Sequence, residues 1–505
     1  MATTLHRRPI KVVTDSEDDQ SDIRHRSDFH ITSRRVSTVL EEKHEDKKKR
    51  QTYQGLTHTI PIHTLSKASV LSKEAPPENY NGFIRLGMLV LGASNIRLII
   101  ENWMKYGLLI RLPHSYIPYQ DYGLFVLAWL SVPLSLGISM VVEYAMAKLA
   151  IWARDTKPDV QSKVAVLERV ASAMHIIHLT FLLAYPSYIV YTKIYHPLVG
   201  SAVVVICLIA FLKLTSYALV NRELRQLYVD GKLDQQDDDE DDDDEDNEVE
   251  DKDARYPNNI HPSNLVYFFF APTLCYQPSY PRSPEFRATF FLKRVGELVV
   301  CLVMMYVLTE QYAKPTLANS LRALEDRNLV VIIERVLKLS TTAVVIWLLM
   351  FYALFHAFLN ALSEVLRFGD RTFYLAWWNS GNLATYWRLW NRPVYLFFKR
   401  HVYIPSVQKG MSPAVCQLLV FLVSAVLHEV LVGVPTHAIT GFAFWGMFGQ
   451  IPLIALTRAL EKWRGKDSAL GNTIFWISFC VVGQPTIALL YYYQWAATHK
   501  DGMPS

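Results

Sequence analysis

The chain has 505 residues, of which 51% are hydrophobic and 19% are charged, whereas soluble domains carry roughly 25% charged residues. With 21 glycines and 5 cysteines, it is neither collagen-like nor a disulfide-stabilised scaffold. Residues 230–253 carry a net charge of −14 in a chain whose total is +4, so the remainder carries +18, and the composition indicates an apolar, basic protein with one acidic insert.

Residues 1–80 are rich in charged residues, serine and histidine and show no sustained apolar period, which predicts a disordered N-terminal region. Its basic run at 47–50 is interpreted as a solvated tail, with attraction to a membrane surface as the alternative. No apolar stretch lies near Met1, so we expect no cleavable signal peptide. The first apolar segment, which begins near Phe83, is therefore expected to serve as an internal membrane anchor.

Long apolar segments follow, and each approaches the roughly 20 residues that a helix needs to cross a bilayer. We predict nine spans, at residues 83–109, 121–147, 170–194, 196–222, 289–312, 330–362, 413–434, 437–458 and 472–497. The predicted fold class is therefore all-α, a polytopic membrane protein, with helices 1–4 in residues 81–229 and helices 5–9 in residues 257–498. A large soluble protein with buried helices is disfavoured because the long runs are so many.

Lysine and arginine concentrate in the loops after the second, sixth and eighth predicted spans. Because cytosolic loops carry the excess of these residues, we predict a cytosolic N-terminus, a cytosolic loop at 363–410 and a C-terminal tail, 499–505, across the membrane. The acidic insert, residues 230–256, then lies in a cytosolic loop. It contains ten consecutive acids, Asp237 to Asp246, which favour an extended spacer; calcium capture is the weaker alternative, since nothing sets a coordination geometry.

One polar group stands out within the predicted spans. His428 lies in the middle of the span 413–434, and an ionisable residue at membrane depth is costly and a candidate for function. Ser424 shares its helix face, four residues earlier, whereas Glu429 is rotated by about 100°. An apolar environment favours the neutral imidazole, which can act as a base. The alternative is a structural histidine bonded to a neighbouring helix.

Metal chemistry is not expected. Val432 stands where the zinc motif H-E-x-x-H needs its second histidine, and the five cysteines lack zinc-ligand spacing. His175 and His178 share a helix face and are expected to lack a nearby carboxylate, so no metal site is predicted there. The other polar residues in the spans are expected to pair between helices or to lie near span ends: Glu143, Lys213, Glu297, and the i, i+4 pair His356 and Asn360.

Five segments carry a resemblance to a known family. They are the loop FGDRTFYLAWWNSGNLATYWRLWNRPVY, the upstream APTLCYQPSYPRSP at 271–284, and the later SAVLHE, GMFGQIP and VVGQP. The loop is similar to that of the membrane-bound O-acyltransferases of the sterol and diacylglycerol branch, whose signature is FYxDWWN, and the upstream segment resembles the diacylglycerol side of that branch. The similarity extends from about Tyr80 to Tyr493, apart from the acidic insert.

This resemblance implies a multi-pass enzyme of the endoplasmic reticulum membrane that transfers a fatty acyl group from acyl-CoA to the free hydroxyl of diacylglycerol. It implies acyl-CoA as a substrate with no cofactor, membrane lipid as the surroundings, no nucleic acid, and a homo-oligomer, either dimer or tetramer. An intramembrane catalytic chamber would surround the two lipids. The alternatives are transfer to a sterol or another alcohol, and, in a different class, a transporter or a catalytically inactive membrane scaffold.

The resemblance also assigns residues. His428 is expected to be the general base and Asn379 a catalytic polar group. The substrate-binding residues that it implies are Trp378, Ser424, Glu429, Met447, Gln450 and Gln484. Basic residues of the cytosolic loop are expected to attract the phosphates of acyl-CoA, although topology alone would also place them there: Arg371, Arg388, Arg392, Lys399 and Arg400.

Two positions in the aromatic loop depart from the family pattern. Ala376 stands where the signature has aspartate, and Tyr395 stands where the branch commonly has the histidine of PVH. The second departure removes a competing candidate base and leaves His428. The density of aromatic side chains between Trp377 and Trp390 predicts an amphipathic lid at the membrane interface.

Overall fold

The structure is a computed structural model that describes residues 81–110, 119–154, 161–194, 196–231, 255–465 and 470–498. The predictions for residues 1–80, for Asp237–Asp246 of the acidic insert and for the tail 499–505 lie outside these described residues. The chain divides into two units, residues 1–97 and 98–505. In the first unit, the described residues 81–97 are helical, and the account below concerns the second.

The described residues are almost entirely helical, and among them the only β-type pairing is one isolated bridge between Arg282 and Phe368. In chain order the helices are α1 (Asn81–Tyr106), α2 (Tyr119–Trp129), α3 (Ser131–Arg154), α4 (Gln161–Lys193), α5 (Pro197–Val229), α6 (Pro262–Phe270), α7 (Ala288–Leu308), α8 (Lys314–Ala318), α9 (Leu321–Glu325), α10 (Leu329–Phe351), α11 (Leu359–Leu366), α12 (Leu383–Trp390), α13 (Arg392–Phe398), α14 (Ile404–Gln408), α15 (Pro413–Gly433), α16 (Phe442–Phe448), α17 (Gln450–Arg464), α18 (Leu470–Phe475) and α19 (Gln484–Thr498). Turns of π-helix join several of them, at Thr309–Ala313, Tyr352–Phe358, Lys399–Tyr403 and Trp476–Gly483.

Six helical stretches in the described ranges are long and apolar enough to cross a membrane: Asp121–Arg154, Val166–Lys193, Pro197–Val229, Leu329–Leu366, Pro413–Gly433 and Leu470–Thr498. They match six of the nine predicted spans and confirm an all-α, polytopic membrane protein. The predicted spans 83–109 and 289–312 also form helices, α1 and α7. Both fall outside the six, and both carry several charged residues.

The predicted span 437–458 is wrong as a continuous helix. The chain forms two shorter helices there, α16 and α17, which meet at Gly449. A side chain at Gly449 would place its Cβ 2.8 Å from the carbonyl oxygen of Trp445, so only glycine permits this close approach. Apolar composition predicted the segment correctly, but it does not reveal where a helix breaks.

The helix that carries His428 has clear boundary signals. Ser412 caps its start by accepting a hydrogen bond from the Val415 amide at 3.4 Å, and Pro413 occupies the first helical position, where no amide hydrogen is needed. Pro435 follows its end and cannot continue the helix hydrogen bonding. These signals explain where α15 begins and ends, and the helix has 21 residues.

Two cores lie on either side of α15. The first joins α4, α5 and α6 and includes Val434 near the end of α15, with Val430 packed against it. The second gathers aromatic residues of α10, the loop 367–382, α12 and α18 around Trp377, and it includes Phe421 of α15. Because Phe421 lies near the middle of α15 and Val434 at its C-terminal end, His428 lies in the chain between the residues that join the two cores.

A buried ionic network connects α3, α4 and α5. Arg225 donates to the Glu143 carboxylate at 2.6 Å and also to Glu168, and His175 Nε2 lies 2.9 Å from Glu143 Oε1. His178 Nε2 lies 3.1 Å from His175 Nδ1. The expected interhelical pairing of Glu143 is confirmed. The prediction that the two histidines lack a carboxylate is wrong, because the partner comes from another helix and not from nearby sequence.

The other polar residues of the apolar segments are also satisfied, although not always as predicted. Lys213 donates to two backbone carbonyl oxygens near the end of α6, those of Phe268 at 2.9 Å and Ala271 at 2.6 Å. Glu297 pairs within its own helix, with Arg294 at 2.7 Å. In the described ranges no group of three or more histidine, cysteine, aspartate or glutamate side chains could hold a metal ion.

Candidate active site

The His428 side chain is exposed and lies in the second half of α15. The residues one turn before it on the same face, Ser424 and Ala425, are buried. The imidazole therefore projects from a part of α15 whose preceding turn is packed inside the protein.

The hydrogen bonds of the ring determine its tautomer. His428 Nδ1 lies 2.7 Å from the Ser424 carbonyl oxygen and 3.4 Å from the Ser424 hydroxyl oxygen. A carbonyl oxygen only accepts, so Nδ1 carries the hydrogen and donates it. In the neutral ring Nε2 then has a free lone pair. This arrangement gives the side chain the atom that a general base requires, pointing away from the helix backbone.

Glu429 leaves α15 in a different direction from His428. Its carboxylate accepts from the Gly441 amide at 2.8 Å, from the Phe444 amide at 3.0 Å and from the Tyr491 hydroxyl at 2.9 Å. These amides begin α16, where unpaired N–H groups and the helix dipole favour a negative charge. Its predicted substrate-binding role stays a prediction, because all three bonds connect α15 to the start of α16 and to α19.

Met447 lies near the end of α16, the helix whose start Glu429 caps, and Gln450 is the first residue of α17. Met447 is half-buried and packs against the aromatic core around Trp377. Gln450 is buried, and its Nε2 donates to the Gly446 carbonyl oxygen at 3.1 Å. A Cβ at Gly446 would lie 2.5 Å from Ile487 of α19, so α16 and α19 approach closely here.

Gln484 is the first residue of α19 and follows the π-helical turn Trp476–Gly483 directly. Its side chain is half-buried. In the described part of the chain, no hydrogen bond joins His428 to Asn379, Gln450 or Gln484. The structure thus joins His428 with Ser424 and places Met447 beside the aromatic core. Gln450 and Gln484 begin two other helices, α17 and α19.

The two tryptophans of the loop have opposite environments. Trp377 is 2% exposed and packs edge-on against Phe351 and Trp347, with ring centroids 5.0 and 5.2 Å apart. Trp378 is 45% exposed, and Asn379 is exposed as well. Trp377 therefore anchors the loop, whereas the next two side chains project from it.

The predicted amphipathic lid is wrong for most of the loop. Tyr386 is buried against Phe475, with ring centroids 4.1 Å apart, and Trp387 and Trp390 are half-buried in the same core. The aromatic residues pack between α10 and α18 instead of lying at an interface, because these neighbours also present aromatic side chains. Sequence density alone did not distinguish a surface of aromatic residues from a core.

The loop 363–410 contacts α15 near His428 through Trp387 of α12. The rings of Trp387 and Phe421 pack edge-on with centroids 6.3 Å apart. Phe421, Ser424 and His428 are spaced by three and four residues, so they share one helix face. Seven residues of helix span about 10 Å. The aromatic core therefore adjoins α15 about two turns from the imidazole.

Two of the five basic residues predicted to attract acyl-CoA are engaged by the protein. Arg371 pairs with the buried Glu364 at 2.7 Å, and Arg400 donates to the Tyr276 carbonyl oxygen at 3.1 Å. Arg388 and Lys399 are exposed. The structure thus leaves fewer accessible charges on this loop than the sequence suggested.

The loop 363–410 contains a histidine, His401, and the structure gives it a structural role. Its Nε2 lies 2.8 Å from the Ser216 hydroxyl, which also accepts from the Tyr276 amide at 2.8 Å. Burial, and then the positive charge of Arg400, lower the pKa of His401 to about 4. The ring is therefore neutral at physiological pH and already bonded to α5.

Sequence reasoning missed two residues that organise the site. Tyr491 donates to Glu429 and accepts from the Ala443 amide at 3.0 Å, and Asn472 donates to the loop beside Asn379. Both are polar residues in the apolar segment 472–497. The same reasoning that selected His428, a polar group within a span, would have found them.

Comparisons of the sequence with known proteins show the family of this chain. The model of the membrane-bound O-acyltransferase family, MBOAT, matches residues 96–494. Diacylglycerol O-acyltransferase 1-1 of Oryza sativa subsp. japonica is 40% identical over 434 residues, which cover 86% of this chain and 76% of that protein. Diacylglycerol O-acyltransferase 1 of Arabidopsis thaliana is 36% identical over 438 residues, covering 86% and 77%. The corresponding protein of Dictyostelium discoideum is 35% identical over 428 residues, covering 84% and 64%.

The family match includes both cores, the aromatic loop and the whole of α15. It therefore covers every element that carries the candidate site residues, from Trp378 to Gln484. This chain belongs to the membrane-bound O-acyltransferase family.

Proposed function

We propose that this protein transfers a fatty acyl group from acyl-CoA to the free hydroxyl of diacylglycerol, giving triacylglycerol and coenzyme A. The relatives named diacylglycerol O-acyltransferase are 35–40% identical to it over the aligned residues, and they support this choice of acceptor. The observation that carries the chemistry is His428, which has Nδ1 bonded to a backbone carbonyl and Nε2 available, on a helix long and apolar enough to cross a membrane.

An alcohol is a weak nucleophile and needs a positioned base. His428 Nε2 takes the proton of the diacylglycerol hydroxyl as its oxygen attacks the thioester carbonyl carbon. The tetrahedral intermediate then collapses, the carbon–sulfur bond breaks, and the imidazolium returns the proton to the coenzyme A thiolate. Throughout, the Nδ1 hydrogen bond to the Ser424 carbonyl holds the ring orientation.

Charge develops on the thioester oxygen during the attack, and hydrogen-bond donors are needed there. Side-chain amides of Asn379, Gln450 and Gln484 are the proposed donors. Gln450 donates one side-chain N–H to the Gly446 carbonyl oxygen, and its second N–H remains for the thioester oxygen. Trp378, Ser424 and Met447 are proposed to line the acyl chain, and Glu429 to hold α16 in place through its caps.

Acyl-CoA carries phosphates and is proposed to enter from the cytosol, past the exposed Arg388 and Lys399. Diacylglycerol is apolar and enters from the bilayer. We place the protein in the endoplasmic reticulum membrane with its N-terminus in the cytosol, and we propose a homo-oligomer, dimer or tetramer. The loop charges support the orientation, and the family resemblance supports the compartment and the assembly.

The acceptor is tested in microsomes from cells that lack their own triacylglycerol and steryl ester synthesis. Labelled oleoyl-CoA is supplied with either diacylglycerol or cholesterol, and the labelled products are separated. We expect labelled triacylglycerol, with at most a trace of steryl ester. Steryl ester as the main product would assign the sterol acceptor, and no product from correctly inserted protein would make it a scaffold.

A further inference from the structure

The peptide backbone around Asn379 is held from outside the loop by one side chain of α18. Asn472 Nδ2 donates to the Trp378 carbonyl oxygen at 2.9 Å and to the Ser380 carbonyl oxygen at 3.1 Å. These carbonyls flank Asn379 on both sides in the chain. One side-chain amide therefore holds the peptide unit that directly precedes the proposed oxyanion donor and the peptide unit that follows Ser380.

The orientation of that amide is itself fixed. Trp476 Nε1 donates to Asn472 Oδ1 at 3.1 Å, and an indole nitrogen only donates. The amide oxygen must therefore face Trp476, which leaves the NH2 group to face the loop. Trp476 also packs against the buried Trp377, with ring centroids 5.9 Å apart, so the bonded chain ends on a rigid core.

The backbones of the loop and α18 approach closely at the neighbouring residue. A Cβ added to Gly471 would lie 1.9 Å from the Gly381 carbonyl oxygen, so glycine is needed at this position. On the other side, Asn382 Nδ2 donates to Glu461 of α17 at 2.7 Å. The loop is thus bonded on one side to α17 and on the other to α18.

The side chains of Trp378 and Asn379 are exposed, although their backbone is bonded in this way. Exposed side chains on a fixed backbone are what a substrate-contacting loop requires. Ala376 brings no side-chain hydrogen bond to the loop at the position where the family signature has aspartate. The hydrogen bonds from α17 and α18 therefore hold the loop without a contribution from the side chain at position 376.

We infer that Asn472 is a positioning residue for acyl transfer, which sets Trp378 and Asn379 against the acyl thioester by bonding the backbone between them. The inference rests on the proposed function, because it takes Asn379 as a donor to the reacting oxygen. Asn472 acts through the loop and does not touch the substrate.

The informative variant is Asn472→Asp, which keeps the size of the side chain and the oxygen that Trp476 bonds. It replaces the two donors with a carboxylate oxygen, which two carbonyl oxygens repel. We expect turnover at saturating substrates to fall by about 10-fold or more, since small displacements of reacting groups are costly, with the apparent KM for diacylglycerol within about twofold of wild type. Ser478→Ala is the matched control, because this hydroxyl of the same segment donates to its own helix, to the Ile474 carbonyl at 2.7 Å.

A second readout needs no turnover. Hydrogen exchange of the peptide 374–383 is measured in purified Asn472→Asp, Ser478→Ala and His428→Ala proteins. We expect faster exchange in the first variant and wild-type exchange in the other two. Unchanged exchange in Asn472→Asp, or turnover within twofold of wild type, would overturn the inference. Wild-type protein that makes no triacylglycerol would instead defeat the proposed function, and the exchange result would still decide whether Asn472 holds the loop.

Discussion

His428 and Glu429 are adjacent in sequence, but their side chains have different surroundings and different hydrogen-bond partners. The imidazole is exposed, with its Nδ1 bonded to the turn before it, whereas the carboxylate makes three hydrogen bonds to α16 and Tyr491. The approximately 100° between successive residues of a helix separates them. The helical period predicted this separation correctly, but it did not name the amides that Glu429 caps, since these come from a later segment.

Ala376 tests whether the loop needs the aspartate of the family signature. Its side chain is exposed, so a carboxylate fits there without displacing a packed group. We expect Ala376→Asp to change turnover at saturating substrates by less than about threefold, with any larger effect in the apparent KM for acyl-CoA, because the added charge would oppose its phosphates. The assay compares wild type with the variant. A silent wild type beside an active Ala376→Asp would identify the protein as a scaffold.

At the scale of the elements, the apolar pattern predicted where helices lie better than how they are interrupted. Six predicted spans match membrane-length helices, and α15 begins and ends at readable capping signals. The π-helical turns and the break at Gly449 were not predicted. A π-turn adds one residue to a helix without changing its composition, so hydropathy cannot locate it. The aromatic core around Trp377 was missed for a related reason, because its members come from four distant segments.

One of these π-turns precedes Gln484 and sets the direction in which its side chain leaves α19. A Cβ at Gly483 would lie 2.6 Å from the Ser478 carbonyl oxygen within this turn. Gly483→Ala must therefore shift the turn and rotate Gln484, and we expect at least a tenfold loss of turnover, the scale of a displaced catalytic group. Gly296→Ala is the matched control, because nothing lies within 4 Å of its added Cβ. Equal activity of the two variants would show that the register of this turn is unimportant.

At the scale of the whole molecule, the sequence predicted the class of the fold and the family, and the three-dimensional structure supplied the connections between distant segments. The loop 367–382, α15 and α18 meet around one core although residues 383–469 separate the first from the last. Helix packing of this kind depends on side-chain shape across segments, which a one-dimensional pattern does not contain.

The orientation of the chain across the membrane follows from the distribution of lysine and arginine among its loops. We expect a tag at residue 2 to be digested when sealed microsomes are treated with protease. A tag placed after Ser505 should be spared until detergent opens the vesicles. Protection of the N-terminal tag in intact vesicles would reverse the predicted orientation and, with it, the side from which acyl-CoA enters.

The central claim is that His428 is the general base of acyl transfer to diacylglycerol. The direct measurement is the rate of labelled triacylglycerol formation by purified wild type, by His428→Ala and by His261→Ser, whose exposed histidine caps helix α6. Both variants should match wild type in membrane insertion and in thermal stability. We predict that His428→Ala loses at least about 100-fold in rate, the lower range for general base catalysis, while His261→Ser stays within about twofold. A folded, inserted His428→Ala protein that makes triacylglycerol at a near-normal rate would contradict the account.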